Sequence, residues 1–228
     1  MLTGATKVYH CPGCQQVLLS QTIVSMNGLR AKYYSDGRIE GPYYCEQIRI
    51  TECPACSCIF WLDPRHKADE FYEEYDEGDP EIAAHYHSIG DWAERLDLNG
   101  WRRAISEKVF ENPKEELYLR QRLLWELNKS FLDNSGWDGN QQMELWEDTI
   151  RGMLLVLQPQ RAQDHLLKAE LHRNLGQFEQ ALKSLDQITD QDVLAKAYQM
   201  HQRVVTQDRW VFRFQVGTGI WFLKNDAE

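Results

Sequence analysis

Six cysteines lie at positions 11, 14, 45, 53, 56 and 58, and none follows in the rest of the 228-residue chain. Thiolates are metal ligands and nucleophiles, so their spacing decides which chemistry is open to them. Two pairs repeat one pattern, Cys11-Pro12-Gly13-Cys14 and Cys53-Pro54-Ala55-Cys56. In a C-x-x-C turn the backbone doubles back and both sulfurs can reach one ion. Proline fixes φ after the first ligand, and a small third residue lets backbone amides approach the sulfur. Two such turns supply the four thiolates of a tetrahedral Zn2+ site, with Zn–S bonds of about 2.3 Å. A closed four-thiolate shell leaves no position for water, so such a metal would be structural. A redox role for either pair would require a surrounding βαβ pattern, and neither has one. Cys45 and Cys58 stand outside the duplicated pattern. Cys58 reads as a small packing residue, with the alternatives open that either thiol replaces one of the four or senses oxidants.

Seven histidines raise a second possibility. His85-Tyr86-His87, near Asp79, Glu81 and Asp91, has the only other metal-like spacing. Alternate residues share a face on a strand and diverge on a helix, and Glu81-Ile82-Ala83-Ala84 reads as helix, which argues against a second metal site. His10 neighbours Cys11 without being expected as a ligand, and His165, His172 and His201 fall at scattered helical phases. No P-loop, dinucleotide fingerprint, G-x-S-x-G or H-E-x-x-H occurs.

The elements that would position the cysteines are short. Between the pairs lie 38 residues, against about 15–20 in the commonest spacing. That interval carries β-type runs at 16–26, 30–34 and 43–50, with turn signals at Asn27-Gly28 and Asp36-Gly37. It predicts a small antiparallel sheet between two knuckles. The arrangement resembles the zinc-ribbon family over about residues 7–62. The resemblance implies Cys11, Cys14, Cys53 and Cys56 as ligands of one structural Zn2+ per chain, with no catalytic residue.

From Pro113 the apolar period lengthens to between three and four. Leu119, Leu123, Leu127 and Phe131 share a helical face, and Met143, Trp146, Ile150, Met153 and Leu157 step as the seam of a second helix. Asn134-Ser135-Gly136 and Asp138-Gly139 break the chain between them. A further hairpin follows, with a helix at 163–175, then Gly176-Gln177-Phe178-Glu179-Gln180-Ala181 and a second apolar helix. Gly176 permits a tight turn, Phe178 fills the space between the helices, and Ala181 facing Ala169 lets them approach. This pattern resembles the tetratricopeptide repeat (TPR), over about residues 161–190. Residues 117–157 and 191–206 would supply the neighbours that one repeat needs. At the end, Trp210, Phe212, Phe214 and Val216 alternate before Gly217-Thr218-Gly219 and Ile220-Trp221-Phe222-Leu223, which reads as a β-like cap on the stack or a dimerisation edge.

The expected fold class is therefore α+β: a zinc ribbon at 1–62, an acidic linker with partial helix at 63–112, and a TPR-like helical domain with its cap at 113–228. The formal charge of −10 is unevenly spread, because residues 63–98 alone carry −9. That stretch is a solvated connector or a surface for a basic partner, and it would repel a phosphate backbone. The ribbon's five basic residues barely exceed its four acids, so nucleic acid is not the expected partner. No apolar run approaches a membrane span, and no basic-then-apolar leader opens the chain, so a cytoplasmic location is expected.

The resulting expectation is a zinc-stabilised, non-enzymatic adaptor that binds a protein, resembling bacterial proteins that join a zinc ribbon to such helices. The alternative is a regulator whose ribbon touches DNA or RNA. A metal-dependent enzyme built on the histidines at 85–87 is a third reading.

Overall fold

A computed structural model of the chain describes residues 2–72, 80–132 and 140–215. The fold is α+β, with strands first and helices after. In chain order the elements are β1 (Leu2–His10), β2 (Val17–Ser25), β3 (Lys32–Tyr33), β4 (Ile39–Glu40), β5 (Ile50–Glu52), β6 (Ile59–Trp61), β7 (Lys67–Phe71), α1 (Pro80–Ile89), β8 (Asp91–Trp92), α2 (Leu98–Ser106), α3 (Pro113–Leu132), α4 (Asn140–Val156), α5 (Ala162–Asn174), α6 (Phe178–Leu185) and α7 (Gln191–Val205). The described residues fall into two compact units, one of residues 2–31 and 41–100, the other of residues 32–40 and 101–215.

In the first unit a four-stranded sheet runs β7-β1-β2-β8. β1 pairs antiparallel with β2 and with β7, while β8 joins β2 in parallel. Strand alternation sends neighbouring residues to opposite faces. Val8 pairs with Leu19 and packs with Phe71 and the α1 residues Ala83 and Tyr86, whereas Tyr9 pairs with Leu18 and packs with Cys11, Cys53 and Phe60. The sheet is thus buried on both faces. The acidic stretch is more than a connector, because it supplies both edge strands, β7 and β8. The alternation at 43–50 does not make a strand until Ile50. In its place the Gln47 side chain pairs with β2, accepting from the Ile23 N–H (3.0 Å) and donating to the Gln21 carbonyl (3.2 Å).

In the second unit the helices follow the predicted periods. Asn112 caps α3, accepting from the N–H groups of Lys114 and Glu115, with Pro113 at the first helical position. α5 ends at Gly176, whose φ of +73° is a left-handed turn that glycine adopts without steric cost. Ala169 and Ala181 are both fully buried in one cluster with Leu185, Val193, Met200, Phe212 and Phe214, and Phe178 packs against it. The break expected at 134–139 lies outside the described residues.

Residues 32–40, which fall between the cysteine pairs in sequence, form the β3–β4 hairpin of this helical unit. The segment 210–215 runs beside the hairpin. The Phe214 N–H donates to the Tyr33 carbonyl (2.8 Å) and the Ser35 N–H to the Phe212 carbonyl (2.9 Å). The cap reading therefore holds in part: Phe212 and Phe214 close the helical core, paired to the hairpin through one bridge between Tyr34 and Arg213. The rest of that stretch, Val216 onward, lies outside the described residues.

Buried polar groups fix the hairpin. Glu170 accepts from the Ser35 hydroxyl (2.7 Å), from the Asn174 amide and from the Arg173 guanidinium (2.9 and 2.6 Å), with Glu170 and Arg173 both fully buried. Arg173 also donates to the carbonyls of Asp208 and Trp210. Asp36 accepts from the Asn128 amide (2.8 Å), whose own oxygen accepts from the Trp146 indole (2.9 Å). Burial pushes the Asp36 carboxyl up to about 6.

Candidate metal centre

Each C-x-x-C is the turn of a β-hairpin. β1 runs directly into Cys11 and β2 leaves after Gln16, with His10 opposite Val17. β5 runs into Cys53 and β6 leaves after Cys58, with Glu52 opposite Ile59. The two turns share one hydrogen-bond plan. The Cys11 N–H donates to the Gln16 carbonyl (2.9 Å) and the Gln15 N–H to the Cys11 carbonyl (2.9 Å). At the second turn Cys53 donates to Cys58 (2.9 Å) and Ser57 to Cys53 (2.8 Å). Gln15 and Ser57, each one residue past the second cysteine, have φ of +65° and +59°. These left-handed residues bring the chain back onto the strand and were not singled out by the motif itself. The signal available was their equal offset from the duplicated pair.

The four sulfurs of Cys11, Cys14, Cys53 and Cys56 all lie within 4.8 Å of one another. Cys11 and Cys56 approach to 3.6 Å, as do Cys14 and Cys53, so each close pair spans the two turns. A tetrahedral ion with bonds of about 2.3 Å places its sulfurs about 3.8 Å apart, so the donor set and its size suit one metal ion. In each turn the first cysteine is buried and the second exposed. Gly13 suits the close approach of the opposite turn, since a β-carbon there would lie 3.3 Å from Cys56 Sγ and 3.3 Å from the Cys58 β-carbon, tight enough that those atoms would have to shift. The Gly13 N–H points to Cys11 Sγ at 3.4 Å, the amide-to-sulfur approach that a small residue permits.

Crowding four thiols splits their acidities. Burial pushes the Cys11 thiol up, while the Gln16 N–H, followed by the neighbouring sulfurs, holds Cys14 below its ordinary value. At Cys56 the Cys58 N–H favours the thiolate, but the surrounding sulfurs outweigh it and push the group up to about 12. A cation among them removes that conflict by favouring all four thiolates.

Of the other sequence candidates, Cys45 is exposed, and Cys58 is half-buried against the Tyr9–Cys11–Phe60 core, as expected of a packing residue. His85 and His87 are exposed on α1, and among the described residues the four cysteines are the one group of metal-binding side chains within coordinating distance. The fibre of contacts around the site continues outward: the buried Thr51 of β5 donates to the Glu94 carbonyl (2.9 Å), tying the second turn to the strand-forming acidic stretch. Among the described residues no helix is long and apolar enough to cross a membrane. Compared with protein-family models, curated proteins and solved structures, the chain matches none.

Proposed function

We propose that this chain is a zinc-stabilised, non-enzymatic adaptor that binds a protein or peptide through its helical unit. The metal half of the reading rests on the donor chemistry. Four thiolates in a closed shell suit Zn2+ and leave no position for substrate, so the ion's work is to hold two hairpin turns together. The interaction half is carried by one observation. On α7 the side chains of Leu194, Tyr198 and Val205, at i, i+4 and i+11, form an exposed apolar stripe on a single helical face, with Tyr198 65% and Val205 62% exposed. The glycine turn at 176 and the apposed alanines 169 and 181 add the TPR-like resemblance, which bears on architecture and only by analogy on partner binding.

Two measurements test the two halves. Metal analysis of the purified chain should return one zinc per chain, and Cys53→Ser should lose it. Full zinc occupancy in that variant overturns the ligand set. For the adaptor, affinity capture with the wild type and with Leu194→Glu/Tyr198→Glu should recover a protein with the first and lose it with the second at unchanged helicity. Equal recovery by both removes α7 as the docking face.

A further inference from the structure

A groove of about 320 Å³ opens between α5 and α6, lined by His165, Lys168, His172, Gln180, Lys183, Ser184 and Gln187. Every lining side chain has a donor group or can become one, although the Ser184 hydroxyl already donates to the Gln180 carbonyl (3.0 Å), and none is a carboxylate. In a chain with 35 acidic and 25 basic residues, that selection is the reverse of its composition. Helical spacing accounts for most of it: His165, Lys168 and His172 stand at i, i+3 and i+7 on α5, Gln180, Lys183 and Ser184 at i, i+3 and i+4 on α6, and Gln187 follows in the turn beyond α6.

The positive charge is not neutralised from within α5. Its two carboxylates are engaged elsewhere, Asp164 with the N–H groups of Gln160 and Arg161 (3.0 and 2.9 Å) and Glu170 in the buried set with Ser35, Arg173 and Asn174. Neither Lys168 nor Lys183 has an ion-pair partner among the described residues. The Gln177 amide oxygen lies 2.7 Å from His172 Nδ1, which fixes that ring and leaves Nε2 uncommitted. Two ammonium groups, two imidazoles and three neutral side chains thus border a space larger than one tetrahedral oxyanion.

We propose that this groove binds a phosphate dianion, free or as a small phosphate monoester, with Lys168 and Lys183 supplying charge, His165 and Gln180 supplying directed donors, and His172 Nε2 donating when that ring is protonated, its Nδ1 proton being held by Gln177. The site is separate from the cysteine cluster and from the α7 stripe, so it stands or falls independently of the adaptor reading.

The test is a titration of the isotope-labelled full chain with inorganic phosphate and, in parallel, with glycerol phosphate, each against sodium chloride at matched ionic strength and followed by amide shifts. Saturable shifts confined to α5 and α6 are expected with phosphate and absent with chloride. Lys168→Gln/Lys183→Gln should weaken binding on the order of 10-fold or more, and Lys168→Arg/Lys183→Arg should keep it. Saturation by either ligand supports the site, and the tighter of the two tells the free ion from the ester. Shifts that match those in chloride, or an affinity unchanged in the glutamine variant at wild-type helicity, overturn it.

Discussion

Around the cysteine turns one buried cluster consists of Tyr9, Cys11, Leu18, Cys53 and Phe60, while the helical unit gathers eleven buried residues from α5, α6, α7, the turn between α6 and α7 (Ile188) and the 212–214 segment into one cluster. Fully burying a large apolar side chain contributes roughly 1.5–3 kcal/mol, and ordering each residue costs about as much. β5 and β6 bury Ile50, Ile59, Phe60 and Trp61, but each cysteine turn buries only its first cysteine, so the two turns have little apolar burial of their own to hold them together. The helical unit can rely on packing, and it spends polar groups on a different task, positioning the β3–β4 hairpin. The lesson of the contrast is that one unit should depend on an ion and the other on satisfied buried charges.

The largest expected effect separates the units. Binding a structural zinc contributes on the order of 10–16 kcal/mol in small zinc modules. Chelation, or Cys53→Ser, should therefore unfold residues around β5 and β6, read as collapse of their amide dispersion, while the helical circular dichroism signal persists. Loss of both signals together would break the contrast.

Next comes the buried pair in the helical unit. Glu170→Ala leaves the Arg173 guanidinium buried without its carboxylate, at an expected cost of about 3–5 kcal/mol in urea unfolding followed by helicity. Replacing both residues with methionine should cost less than the single change, because an uncompensated charge is what destabilises.

Asp36 gives the third test. Burial raises its carboxyl from 3.8 to about 6, so the folded unit keeps a proton that the unfolded chain releases. The contribution is complete below about pH 4 and is lost as pH rises through 6, a fall of about 3 kcal/mol. In Asp36→Asn this fall should vanish. Because the Trp146 indole only donates, the Asn128 oxygen is committed to it and the Asn128 amide must find an acceptor at position 36. Asp36 accepts with both oxygens, Oδ1 from the Arg38 N–H (3.1 Å) and Oδ2 from the Asn128 amide, whereas asparagine has one accepting oxygen beside an NH2 group that only donates. The variant therefore leaves one of the two donors unpaired and should be less stable than the wild type at pH 4.

The smallest effect is local. Asp190 caps α7, its carboxylate accepting from the Asp192 N–H. Asp190→Ala should lower stability by about 1 kcal/mol in the helical unit and leave metal content unchanged, which sharpens the independence of the two units.

Much of the helical unit was legible from residue spacing. The starts at Pro113 and Gln191, the turn at Gly176 and the alanines at 169 and 181 are short-range features, each set by a few neighbouring residues. The candidate site was legible for a related reason: duplication of C-P-x-C announces two equivalent turns wherever they lie. The missing strand at 43–49 was not legible, because the apolar/polar alternation there is not matched by burial, every one of these residues being exposed or half-buried, and Gln47 pairs with β2 through its side chain. Nor was the role of the acidic stretch, whose charge suggested solvent although Phe71 and β8 fasten it to the sheet.

The amino-acid sequence alone determined the thiolate inventory, the equivalence of both cysteine turns and the apolar periods of the helices from Pro113 onward, because those depend on local dihedral preferences and periodicity. Tertiary structure decided which sulfurs converge from turns 38 residues apart, and that residues 32–40 leave the span between them to join the helices. Ser35 meets Glu170 across 135 residues and Asp36 meets Asn128 across 92. Such pairs are selected by the desolvation of buried polar groups, which must find partners wherever packing brings them, and no local pattern encodes that choice.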